Sequence, residues 1–189
     1  MDLSATISTG FTLSALTLAA GELVGELAGT DAPEVLAVVG RRYHRGVEID
    51  PGAAAPPGAC IRVGDLGPSG AHRSVDRFDL ELRSPPDRAR VRVVDHGRRG
   101  RGGDGTTMAI SPQRTPVGVL LATAAALAAA TVGEGEFVDL DLRLVDPPIT
   151  DPQAFVDRTR LQPTDLPLAA AALAWVRRFE HLGGWPPAP

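Results

Sequence analysis

Three features of the amino-acid sequence predict an α+β fold, with a largely antiparallel or mixed sheet and helices packed mainly on one face. Segments 74–84 and 88–95 alternate apolar and charged residues on either side of Pro85-Pro86-Asp87, the pattern of a β-hairpin. Segments 12–29 and 115–133 carry helical periodicity between a threonine and a glycine. Segment 136–145 sets Val138, Leu140, Leu142 and Leu144 against Asp139, Asp141 and Arg143, as a long half-buried strand does. A sheet of about six to eight strands with one covered face accommodates all three.

Taken in order, segment 2–8 alternates weakly and predicts the first strand. Thr12 is placed to cap a helix whose apolar face is Leu13, Leu16, Ala20, Leu23, Val24 and Leu27. Gly29 stands where a left-handed closing residue is wanted. Gly21 and Gly25, four apart in this helix, predict close approach of a neighbouring backbone. The unbroken run Val35-Leu36-Ala37-Val38-Val39 predicts a strand buried on both faces, with 41–50 as a polar hairpin partner and a short strand at 61–63. In the 74–95 hairpin, Phe78, Leu80 and Leu82 face one way, and Asp79 and Glu81 are expected opposite Arg90 and Arg92 on the solvated face.

Farther on, Thr115 is a cap with Pro116 at the first helical position, and Gly133 or Gly135 ends the helix. Asp151 caps a short helix that starts at Pro152. Thr164 or Asp165 is expected to cap a last helix striped by Leu168, Ala172, Trp175, Phe179 and Leu182. An offset of 103 residues places Ile7-Ser8 on Ile110-Ser111, Thr12 on Thr115 and Leu18-Ala19 on Leu121-Ala122. The chain thus reads as one domain over 1–189 built from two duplicated β-α-β units, 2–40 and 105–145, with a helical extension at 151–184.

Composition narrows the function. The 189 residues suit one core, and its side chains must be aliphatic because aromatics are only 4%. Neither Lys nor Asn occurs, and Ala, Gly, Pro and Arg abound, the usage of a GC-rich bacterial genome. A formal charge of −4 argues against a general nucleic-acid binder. Cys60, the single cysteine, excludes a disulfide framework and fits a reducing cytoplasm. The apolar run at 11–20 follows Asp2 with no cation and precedes Glu22 and Glu26, the reverse of a secretory signal. The uncharged 115–133 segment is short of Leu and Val and lacks aromatic flanks, so it reads as a buried helix and no membrane span is expected.

The sharpest motif is Gly102-Gly103-Asp104-Gly105-Thr106. It resembles the Gly-Gly-Asp-Gly-Thr signature of the NAD-kinase and diacylglycerol-kinase families. The resemblance covers five residues and implies a backbone that approaches a phosphate, with Asp104 assisting phosphoryl transfer. Where those families run a hydrophobic strand into the motif, this chain has Arg98-Arg99-Gly100-Arg101. Arg98, Arg99, Arg101, Asp104 and Thr106 are therefore the candidate binding residues. Asp139 and Asp141, on one face of the expected strand, are within reach of a shared Mg²⁺, but alternating charge on a solvated strand gives the same pattern. His44, His72 and His96 have no ligand-like spacing, and no Gly-x-Ser-x-Gly elbow occurs. No catalytic residue, metal or cofactor is expected. The expectation is a non-catalytic protein-binding module of immunity, adaptor or chaperone-like kind, with a protein partner. One alternative is a small enzyme binding a phosphate or nucleotide at 102–106, favoured by the nearby N-terminus of the Pro116 helix. A second is a subunit of a homo-oligomer or larger assembly.

Overall fold

The computed structural model describes residues 2–45, 47–63, 75–95, 106–139, 141–179 and 182. The elements in chain order are β1 (Leu3–Ile7), β2 (Phe11–Thr12), α1 (Leu13–Ala28), β3 (Val35–Val39), β4 (Arg42–His44), β5 (Val47–Asp50), β6 (Ala53–Ala54) and β7 (Cys60–Ile61). They continue with β8 (Arg77–Arg83), β9 (Pro86–Asp95), β10 (Thr106–Pro112), α2 (Pro116–Val132), β11 (Glu136–Val138), α3 (Pro152–Thr159) and α4 (Leu168–Val176). The fold is α+β. A seven-stranded sheet runs β11-β1-β10-β9-β8-β3-β6, and its pairs are antiparallel. Two small ladders, β2 with β7 and β4 with β5, stand apart from it.

Strand alternation decides which face of the sheet is covered. Leu3, Ala5, Ile7, Phe78, Leu80, Leu82, Met108, Ile110 and Phe137 are all buried and lie on the face that meets the helices. Over it lies α2, packed on β1, β10, β9 and β11, with α1 beside it and α3 and α4 closing around the pair. Fourteen consecutive residues of α2, Val117 to Ala130, are buried. A helix enclosed on every side has no place for a charged residue, which accounts for its uncharged sequence. Among the described residues, no helix is long and apolar enough to cross a membrane.

Both predicted threonine caps form. Thr12 Oγ1 accepts from Ala15 N at 3.2 Å, and Thr115 Oγ1 accepts from Gly118 N at 2.9 Å while donating to Asp87. Gly29 closes α1 at φ 66°. Gly21 and Gly25 make the predicted close approach: a Cβ at Gly21 would meet the Pro33 carbonyl oxygen at 2.6 Å, and one at Gly25 the Ala32 backbone at 2.9 Å. The chain leaving α1 therefore turns straight back along it to enter β3.

The β1–β10 ladder is centred on Ala5 and Met108, with Leu3 opposite Ile110 and Ile7 opposite Thr106. The 103-residue offset joins the central pair and maps Leu3 onto Thr106 and Ile7 onto Ile110, so β1 and β10 pair in symmetric register. The symmetry stops at the next strand. β11 pairs directly with β1, whereas β3 lies three strands beyond β10.

Four expectations need correction. The strand predicted for 136–145 ends at Val138, because Asp139 is buried and its carboxylate gathers the amides of Leu142, Arg143 and Leu144 at 3.0, 3.0 and 2.6 Å. That turn carries Leu142 and Leu144 into the core by a route alternation alone cannot foresee. Neither Thr164 nor Asp165 caps the last helix, which starts after Pro167 without a side-chain cap. Thr164 instead gives its amide to the Gly29 carbonyl at 2.7 Å, completing the end of α1. In the 74–95 hairpin the turn is Ser84-Pro85, so the register moves by two: Asp79 faces Arg90, Glu81 faces Arg88, and Arg92 faces Arg77 instead of a carboxylate. Finally, 41–50 does not extend the main sheet; it folds on itself as β4 and β5, and the edge partner of β3 is β6.

Candidate functional site

The face of the sheet turned away from the helices is where charge collects. There the β4–β5 hairpin lies over β8 and β9 and walls a cleft of about 600 Å³. Strand alternation supplies the lining: the residues that flank Phe78, Val91 and their neighbours must point outward. Five arginines border the cleft, Arg41, Arg42, Arg77, Arg90 and Arg92, against two carboxylates, Asp76 and Asp79.

Arg41 is the pin that holds this wall. It leaves β3 just after Gly40 and folds down onto β8, with 11% of its side chain exposed. Its Nη1 donates to Glu48 of β5 at 2.8 Å, and its Nη2 donates to Glu81 of β8. Its Nε stands 3.0 Å from Asp79 Oδ2, an ion pair without hydrogen-bond alignment. Asp79 is only 4% exposed, so the face expected to be solvated is closed here. Burial alone would lower the Arg41 pKa; the Tyr43 hydroxyl and the Glu81 and Glu48 carboxylates outweigh it and raise it. Arg88 Nη1 also donates to Glu48, at 3.0 Å. The guanidinium carbons of Arg88 and Arg90 lie 5.3 and 4.8 Å from the centroid of the Tyr43 ring, within cation–π range.

These contacts tie the hairpin to the sheet through charge, which makes it acid-sensitive. The Arg88 hydrogen bond, joined by Arg41, holds the Glu48 carboxyl below the ordinary carboxylate value. The Gly52 amide and Arg42 do the same for Asp50. A depressed carboxylate contributes stability that is present above its unfolded pKa and lost as pH falls through its folded value. The wild-type melting temperature is therefore expected to fall more steeply than that of Glu48→Gln as pH drops below about 4. Parallel melting curves against pH would remove Glu48 from the latch.

Arg77 and Arg92 are different. They face each other directly across β8 and β9, both exposed, and no carboxylate among the described residues lies within ion-pairing distance of either. Like charges directly opposite on a strand pair are destabilising. Among the described residues Arg90 has one acidic neighbour, Asp79 Oδ1 at 3.7 Å, outside hydrogen-bond distance. The open half of the cleft thus carries surplus positive charge on a chain whose formal total is −4.

The candidates read from sequence fall elsewhere. Arg98, Arg99, Arg101 and Asp104 lie outside the described residues, as does most of the 102–106 motif. Thr106 is described: it opens β10, is buried on the helix-covered side, and its Oγ1 has no hydrogen-bond partner among the described residues. It does not face the arginine cleft. Pro116 follows the other end of β10, and seven strand residues put about 20 Å between Thr106 and that helix N-terminus. The helix dipole therefore does not bear on Thr106. Asp139 and Asp141 share no strand face, since Asp139 is occupied by three amides. Among the described residues, no three His, Cys, Asp or Glu side chains converge as a metal site would need. Sequence reading assigned Arg90 and Arg92 to a solvated face paired with Asp79 and Glu81, because alternating Arg and Asp on a strand looks the same whether the charges pair or not. No family model matches the chain, and no curated protein or solved structure proves similar to it.

Proposed function

We propose that this protein is a non-catalytic binding module of the adaptor kind, and that its working surface is the outer face of the seven-stranded sheet. Arg77 and Arg92, which face each other with no carboxylate in ion-pairing distance among the described residues, carry this reading. They cost the isolated fold stability and are exposed beside a cleft, an arrangement that makes physical sense when a partner supplies the missing negative charge. The rest of the face suits contact with another surface: Ser4, Thr6, Thr107, Ala109 and Ser111 are small, half-buried and free of charge. A photo-crosslinking amino acid placed at Ser111 on this face, and at the exposed Leu18 on α1 as control, tests the reading in cells that natively make the protein. A discrete protein adduct from Ser111 and none from Leu18 is expected. Adducts from neither, or equally from both, would overturn it. The same reading treats β1–α1 and β10–α2 as copies of one unit, supported by their symmetric ladder and matched threonine caps.

A further inference from the structure

We infer that the arginine cleft takes an extended acidic peptide segment, with carboxylates at alternate residues. This rests on the outer face being the binding surface and names what it binds. Arg77 and Arg92, opposite each other on neighbouring strands, have Cβ atoms about 5 Å apart, close enough for both guanidinium groups to clamp one carboxylate. Arg90 stands two residues from Arg92 on β9, a separation of about 7 Å on the same face. An extended peptide repeats its side chains at that same spacing, so acidic residues at positions i and i+2 meet the Arg77–Arg92 pair and Arg90 together.

The surroundings select this ligand over other anions. The Tyr43 ring already faces the guanidinium groups of Arg88 and Arg90, and Phe78, the other aromatic of the cleft, is 4% exposed. A nucleotide base would find no free ring to stack on. Long polyanions are disfavoured by the acidic total charge, whereas a short acidic segment senses the local surplus. The hairpin pinned by Arg41 fixes the wall of the cleft beforehand, so little ordering is needed on binding.

The test is fluorescence polarisation with a short labelled peptide alternating Glu and Ser, against its Gln and Ser counterpart. The Glu peptide is expected to bind saturably, more weakly as salt rises, and about tenfold or more weakly to the Arg77→Gln, Arg92→Gln double variant. Arg158→Gln, exposed on α3 away from the sheet's outer face, is expected to keep wild-type affinity. The double variant should melt no lower than wild type, because it relieves a like-charge pair, so its loss of binding is not a loss of fold. Equal binding of the Gln peptide, undiminished affinity of the double variant, or no saturable binding up to about 1 mM would each overturn the inference. If that happens while Ser111 still yields its adduct, the acidic ligand alone is lost and the binding surface stands.

Discussion

Arg41→Met is expected to destabilise the protein by about 3–5 kcal/mol, the range for breaking a buried ion pair from one side. The size follows from what is left behind. Asp79 has 5% of its side chain exposed, and Arg41 is the cation closest to it, at 3.0 Å, with Arg90 farther at 3.7 Å. Removing the guanidinium strands a carboxylate that cannot reach water, and it releases Glu48 and Glu81 as well. For a domain of this size the loss corresponds to a fall of roughly 10 °C in melting temperature. Adding Asp79→Leu is expected to restore much of the stability, because a buried pair replaced by apolar residues is often neutral. Denaturant unfolding of the two single variants and the double variant measures the coupling. A cost below about 1 kcal/mol for Arg41→Met would show that the hairpin is not pinned in this way.

Gly135→Ala is expected to cost about 3 kcal/mol, the upper end for an overpacked site. Gly135 ends the turn between α2 and β11, and its amide donates to the Ala130 carbonyl at 2.8 Å. A Cβ there would overlap the Thr6 carbonyl oxygen outright and lie 2.7 Å from its carbon. The obstacle is backbone of β1, held on both sides by β10 and β11, so it cannot swing aside as a flexible side chain would. Gly133, two residues earlier, accepts from the Ser8 and Thr9 amides at 2.8 and 2.9 Å, which fixes the turn against the end of β1. Opening that contact would peel β11 from the sheet edge and expose Phe137, which is fully buried against Phe155 with ring centroids 4.8 Å apart. The urea midpoint should drop with little change in slope; an unfolding free energy within about 0.5 kcal/mol of wild type would contradict the close packing.

The same two residues show where sequence reading has reach and where it stops. The glycine that ends α2 was legible as Gly133 or Gly135, and Gly133 is the one that closes it, because capping and termination depend on neighbours a few positions away. The threonine caps, the closing Gly29, the buried α2 and the β8–β9 hairpin were legible for the same reason: each rests on contacts within one element or one turn. Even in the hairpin, the choice of Ser84-Pro85 as the turn moved Asp79 from Arg92 to Arg90 and Glu81 from Arg90 to Arg88, two positions along the ladder. The 136–145 segment failed because one buried carboxylate, Asp139, outweighed five residues of alternation.

By itself, then, the sequence determined the α+β class, the two capped helices, the hairpin and an uncharged helix that must be enclosed. Only the tertiary structure decided which face of the sheet is covered and which charges meet. Arg41 reaches Glu81 forty positions away, and Glu48 reaches Arg88 across the same gap. Such pairs leave no periodic trace, because ionic contact depends on distance in space and a charge on a solvated strand looks like a charge in a cleft. Arg77 and Arg92 read as ordinary alternation until the register set them face to face without a counter-charge among the described residues.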